Sequence, residues 1–169
     1  MRNIPLLLAG LVLALTTSCG SKTDATATDA DSSYLVTQDG PCYVPCRAFS
    51  EKVGDCTVSI ACTPDSATVV RDALDTPFYD NLVTVTVNRA GSEIFRHTFR
   101  KGEFPGTSDA SSILQGMAFS ERKGNILVFG AQVGEPGNDE GGQNFRVNVG
   151  TDGSHTITAD FTQDTSAGE

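Results

Sequence analysis

The feature that most constrains this chain is a two-residue alternation of apolar and polar side chains that recurs through residues 83–161. Val83, Val85 and Val87 alternate with Thr84, Thr86 and Asn88. Phe95, His97 and Phe99 share one face of the run from Ile94, and Phe145, Val147 and Val149 repeat the pattern. Successive side chains on a strand point to opposite faces, so this period specifies strands with one buried face and one wet face. Turn formers separate the runs at Arg89-Ala90-Gly91-Ser92, Arg122-Lys123-Gly124-Asn125 and Asp152-Gly153, the last a strong hairpin signal. Met117 and Phe119 open another strand, Ile126 to Val133 returns, and Ile157, Ala159 and Phe161 close the sheet. The expected fold is mainly β: an antiparallel meander, either a sandwich or a partly open barrel. It holds at most a short helix near 108–115, where Ser108 or Asp109 could cap a turn reaching Leu114.

The N-terminus carries a different signal. Arg2 precedes an apolar run from Leu6 to Leu15, too short to span a bilayer, and Thr16, Thr17 and Ser18 lead to Cys19. A small residue before a cysteine after such a run resembles the bacterial lipobox, whose cysteine thiol carries diacylglycerol. Thr16 in place of the usual leucine resembles the looser Bacteroidetes version. Residues 1–18 are therefore expected to be a lipoprotein signal peptide, with Cys19 the lipidated first residue of the mature chain. The rival is an ordinary secretory signal followed by an accidental cysteine. Gly20 is not the aspartate of inner-membrane retention, so the outer membrane is the expected location, with either leaflet open. Residues 19–33 hold no large apolar group and read as a flexible tether. Residues 34–161 then form one domain, and 162–169 a frayed tail. The formal charge of −9 excludes the basic surface that nucleic-acid binding needs.

Four cysteines remain: Cys42, Cys46, Cys56 and Cys62. An even number in an oxidising compartment predicts two disulfides. Zinc is the rival, but the spacings are not paired knuckles and no histidine lies nearby in sequence. Cys56, Val58, Ile60 and Cys62 alternate with Thr57, Ser59 and Ala61, which predicts a strand with its cysteines on the apolar face. Six residues of strand span about 20 Å, so Cys56 cannot bond Cys62. A hairpin turning within Ser50–Asp55 would pair Cys42 with Cys62 and Cys46 with Cys56. The second choice is Cys42–Cys56 with Cys46–Cys62.

Residues 78–160 carry a family resemblance. Tyr79-Asp80-Asn81, Arg89-Ala90-Gly91-Ser92, Phe95-Arg96-His97-Thr98-Phe99 and Phe104 resemble an uncharacterised domain family of Bacteroidetes lipoproteins. The runs Ile113-Leu114-Gln115-Gly116-Met117-Ala118-Phe119 and Leu127-Val128-Phe129-Gly130-Ala131-Gln132-Val133 fit the same pattern. These are packing and turn residues, so the resemblance implies a β fold and supplies no catalytic residue. The segment Gly134-Glu135-Pro136-Gly137 and the four-cysteine hairpin depart from it.

Chemistry is sparsely signalled. His97 and His155 lack a ligand-spaced neighbour on their own strands, and a packed, hydrogen-bonded His97 is expected. No nucleophile-elbow, zinc-protease or phosphate-loop motif is present. Glu135, Asn138, Asp139 and Glu140 could offer oxygens to calcium from a glycine-rich loop, though a solvated loop is the plainer reading. Asp65-Ser66-Ala67 resembles a Bacteroidetes O-glycosylation acceptor at Ser66, against the plainer reading of an exposed turn. No cofactor or metal is expected. The expected function is a non-catalytic binding or accessory module for an envelope protein or ligand. The alternative is a small extracytoplasmic hydrolase or processing enzyme with a site assembled from distant residues, which a histidine in a concave pocket with a carboxylate in hydrogen-bond reach would favour.

Overall fold

The alternating runs pair into two four-stranded antiparallel sheets in a computed structural model that describes residues 40–138 and 141–160. The signal peptide 1–18, Cys19, the tether and the tail 162–169 lie outside the described residues. The first sheet comprises β1 (Phe49–Val53), β2 (Cys56–Arg71), β3 (Pro77–Arg89) and β4 (Ser92–Phe99), hydrogen-bonded in chain order. The second comprises β5 (Ile113–Lys123), β6 (Ile126–Gly134), β7 (Gln143–Gly150) and β8 (His155–Ala159), again in chain order. Each sheet is thus a meander, as the hairpin signals require.

The apolar faces meet in one core. Val58, Ile60, Val83, Val85, Val87 and Phe99 from the first sheet join Leu114, Leu127, Phe129, Phe145, Val147 and Val149 from the second. Both sheets remain open, so the architecture is a sandwich and not a closed barrel. The hairpin turns fall where glycine allows a positive φ: Gly91 at +83°, Gly124 at +61° and Gly153 at +87°.

Side chains latch the sheets together at both ends. At one end Asp80 and Asn81 are both buried. The Asp80 carboxylate accepts the Leu114 N–H at 2.8 Å, and Asn81 Nδ2 donates to the Leu114 carbonyl at 2.9 Å and the Val44 carbonyl at 3.2 Å. Two side chains of β3 thereby satisfy the backbone of β5 much as a neighbouring strand would. At the other end Arg122 of β5 donates to the Asp55 carboxylate at 2.6 Å and to the Val53 carbonyl at 3.2 Å, and Arg89 lies 3.0 Å from Asp55.

Two expectations change, the place of the helical turn and the cysteine pairing. The helical turn lies at Lys101–Glu103 and not near 108–115. The Asp109 carboxylate accepts from the Ser111 N–H and hydroxyl and closes a local turn, leaving Ile113 free to begin β5. Residues 63–80 lie mostly in β2 and β3. A bulge between Asp65 and Val69 absorbs the extra residues, and Asp72 caps a short turn by accepting from the Leu74 and Thr76 N–H groups.

Neither expected cysteine pairing forms in full: both bonds of the first choice are absent, and of the second only Cys46–Cys62 is present. Cys46 bonds Cys62, with Cα atoms 5.9 Å apart, and Cys42 and Cys56 are free, buried thiols. The strand from Cys56 to Cys62 is present, but its partner is Phe49–Val53, with Phe49 opposite Ile60 and Val53 opposite Cys56. That register turns the chain at Gly54-Asp55 and brings Cys46 beside Cys62. Cys42 instead bridges Phe78 at the start of β3, donating its N–H to the Pro77 carbonyl and accepting from the Tyr79 N–H. Because Cys56 faces Arg89 and Cys62 faces Val83, Cys42 stands about 36 Å along β3 from Cys56 and about 16 Å from Cys62. A disulfide spans less than about 7 Å between Cα atoms, so Cys42–Cys62, Cys46–Cys56 and Cys42–Cys56 are all excluded in this fold. Burial pushes the Cys42 thiol up, further from the reactive thiolate.

Candidate functional site

The outer face of the second sheet carries a trough because its central rows lack side chains. Cross-strand pairing sets Ala118 opposite Gly130 and Gly116 opposite Gln132, and Gln132 opposite Asn144. Gly116, Ala118 and Gly130 form the floor, and Gln115, Gln132 and Asn144 line the trough beside it, enclosing about 310 Å³. Gly116 is obligatory: its φ is +157°, and a Cβ there would lie 2.9 Å from Cys46 Cβ. The segment carrying Cys46 thus packs against Gly116. Gly130 is different, since a Cβ there would meet nothing within 4 Å.

A second hollow of about 340 Å³ lies between the 106–112 loop and the 134–143 loop. Lys101 Nζ donates to the Asp109 carbonyl at 3.2 Å and the Ser112 carbonyl at 2.6 Å, tying the first loop down. The Ser111 bonds hold the Asp109 carboxyl below the usual range. Gln115 Nε2 staples the second loop by donating to the carbonyls of Glu135 and Asn138. Of the calcium candidates, Glu135 is exposed beside this hollow, and Asp139 and Glu140 lie outside the described residues. The Glu135 and Asn138 carbonyls already accept from Gln115.

The two histidines, far apart in sequence, meet where the edge strands β4 and β8 approach. His97 does share the inward face with Phe95 and Phe99, but β4 is an edge strand, so its ring reaches the solvent boundary. Its Nε2 lies 2.7 Å from Glu103 Oε2. His155 opens β8, with its ring centroid 4.6 Å from that of His97. Among the described residues, His97, Glu103 and His155 are where three metal-ligating side chains converge, their ligand atoms within 4.8 Å of one another. Sequence spacing could not reveal this group, because it depends on how the two sheets stack. The trough and the loop hollow are lined by other residues.

Ser66 is exposed on the β2 bulge, while its neighbour Asp65 is buried. The Asp65 carboxylate accepts from the Ala67 N–H, the Thr68 hydroxyl and Arg100 Nη1, the last at 2.8 Å. Asp65 therefore builds the bulge that presents Ser66.

A family model described as a domain of unknown function (DUF4738) matches residues 50–158, which include all eight strands in whole or part. Comparison with curated proteins gives no match.

Proposed function

We infer a function from this chain's own geometry, because it belongs to a family, the domain of unknown function DUF4738, whose description assigns no activity. We propose that the protein is a cell-envelope lipoprotein, held in the outer membrane by acyl groups on Cys19. Its β domain is a non-catalytic module that binds an envelope protein or ligand. The charged, apolar and small-residue order before Cys19 supports the anchor. The observation that carries the binding role is the trough, where three neighbouring positions without bulk leave backbone open beside the amides of Gln132 and Asn144. Amides both donate and accept, so such a surface suits a polar partner laid flat against the sheet.

Hydrolysis is the second reading, favoured by the His97–Glu103 hydrogen bond, since a carboxylate that orients an imidazole is part of general-base chemistry. That pair stands at the open edge of the sandwich and not in the trough or the loop hollow, so binding is the preferred reading.

Photocrosslinking in native membranes tests the trough. A photoreactive residue at Ala118 should give a discrete adduct, and Gly130→Tyr, which has room to enter the trough, should abolish it without changing the melting temperature. An adduct indifferent to Gly130→Tyr, or equally strong from exposed Thr98 on the other sheet, would contradict the proposal.

A further inference from the structure

We propose that His97, Glu103 and His155 form a binding site for one divalent transition-metal ion of the zinc class, clamping the β4 edge to the β8 edge. The proposal does not depend on the trough. Two imidazoles and one carboxylate are the donor set that borderline cations prefer, whereas calcium and magnesium require oxygen ligands. Three protein ligands at a solvent boundary would leave further coordination positions for water or a ligand group.

The surroundings orient each ligand. Glu103 Oε1 accepts the Arg100 N–H at 2.9 Å, which fixes the carboxylate and leaves Oε2 aimed at His97. The His97 ring stands edge-on to Phe99, with centroids 4.5 Å apart. His155 packs edge-on against Phe95 at 5.8 Å and Phe99 at 5.5 Å. An apolar floor beneath two rings and a backbone bond behind the carboxylate are the outer contacts that hold metal ligands in place. A tetrahedral ion about 2.0–2.1 Å from each donor spaces its ligands roughly 3.3 Å apart. For one ion to touch all three, the 2.7 Å His97–Glu103 contact must open slightly and the wider separations, up to 4.8 Å, must close by about 1.5 Å. The acidic chain also raises the local concentration of cations.

The site has a consequence for the fold. β4 and β8 are edges of different sheets, and the β7–β8 turn touches β4, where a Cβ on Gly153 would lie 3.2 Å from the Ile94 carbonyl. An ion held by both edges binds the folded state alone and stabilises it by mass action.

The test is zinc binding by the full-length chain, read by equilibrium dialysis and by thermal unfolding. One Zn²⁺ per chain is expected, and Zn²⁺ at about 100 times its dissociation constant should raise the melting temperature by roughly 10 °C. Calcium and magnesium should leave it unchanged. His155→Gln and Glu103→Gln should each weaken zinc at least about 10-fold while the metal-free melting temperature stays near that of the parent. Co²⁺ substitution separates this site from the free thiols Cys42 and Cys56, because nitrogen and oxygen ligands give no sulfur charge-transfer band. Absence of zinc binding, zinc affinity unchanged in His155→Gln, or a sulfur band in the Co²⁺ spectrum would each overturn the proposal.

Discussion

Replacing Asn81 with alanine should unlatch one end of the sandwich. Asn81 is 1 % exposed, and its Nδ2 spans the sheets by donating to the Leu114 carbonyl at 2.9 Å and the Val44 carbonyl at 3.2 Å. Each buried hydrogen bond contributes about 1 kcal/mol net, and losing one that leaves its carbonyl dry and unpaired costs about 1–3 kcal/mol in its place. One term runs the other way: Asn81 Oδ1 is itself buried without a partner, and its removal recovers about 1 kcal/mol. The expected loss is about 2–3 kcal/mol, a large share of a typical domain's 5–15 kcal/mol. Urea unfolding followed by circular dichroism measures it, and the melting temperature should fall by roughly 10 °C. Thr84→Ala is the control, since Thr84 hydrogen-bonds Thr98 on the exposed face of a single sheet and should cost under about 1 kcal/mol. A loss below about 1 kcal/mol for Asn81→Ala, or one no larger than for Thr84→Ala, would refute the latch.

The neighbouring Asp80 gives a pH signature: burial pushes its carboxyl up, and the Leu114 and Asn81 N–H bonds only partly offset this. The folded state then holds the Asp80 proton more readily than the unfolded chain, so its contribution to stability grows as pH falls from 7 toward 4. Urea midpoints of wild type minus Asp80→Asn should therefore increase toward acid, and a constant difference would contradict the assignment. Peptide mapping without reductant should recover Cys46 linked to Cys62, with Cys42 and Cys56 alkylated only after denaturation; a linked Cys42 peptide would overturn the register of β1. Reduction should cost about 3 kcal/mol, the loop-closure value for a separation of 16 residues, and leave the β-sheet signal intact.

Much of the sandwich was legible because alternation encodes which face of each strand is buried. Val83, Val85 and Val87 are fully buried, and the turns at Gly91, Gly124 and Gly153 fall where the sequence placed them. Alternation does not encode pairing partners. Residues 50–53 are polar or exposed for the most part and read as turn, yet they are part of β1, and that shift of a few residues made Cys46, not Cys42, the partner of Cys62. Asp65, read as part of an exposed turn, is buried and builds a bulge, and Asp72 builds a tight turn within the same long hairpin. Asp80 and Asn81 stood out as a motif, but their role appears only once Leu114 lies across from them. The His97–Glu103–His155 group was invisible for the same reason: it joins two sheet edges whose meeting is a property of the packed core.

The proposed place of this domain, at the end of a tether on the envelope, rests on Cys19. Intact-mass analysis of the protein extracted from membranes, paired with palmitate-analogue labelling of wild type and Cys19→Ala, tests it most directly. Several acyl chains hold a protein firmly, since each buried methylene contributes about 0.8 kcal/mol. The expected result is a mature chain that begins at Cys19, carries acyl groups and sediments with the membrane, and a Cys19→Ala protein that is unlabelled and released. A wild-type chain without acyl groups, or labelling that survives Cys19→Ala, would contradict it.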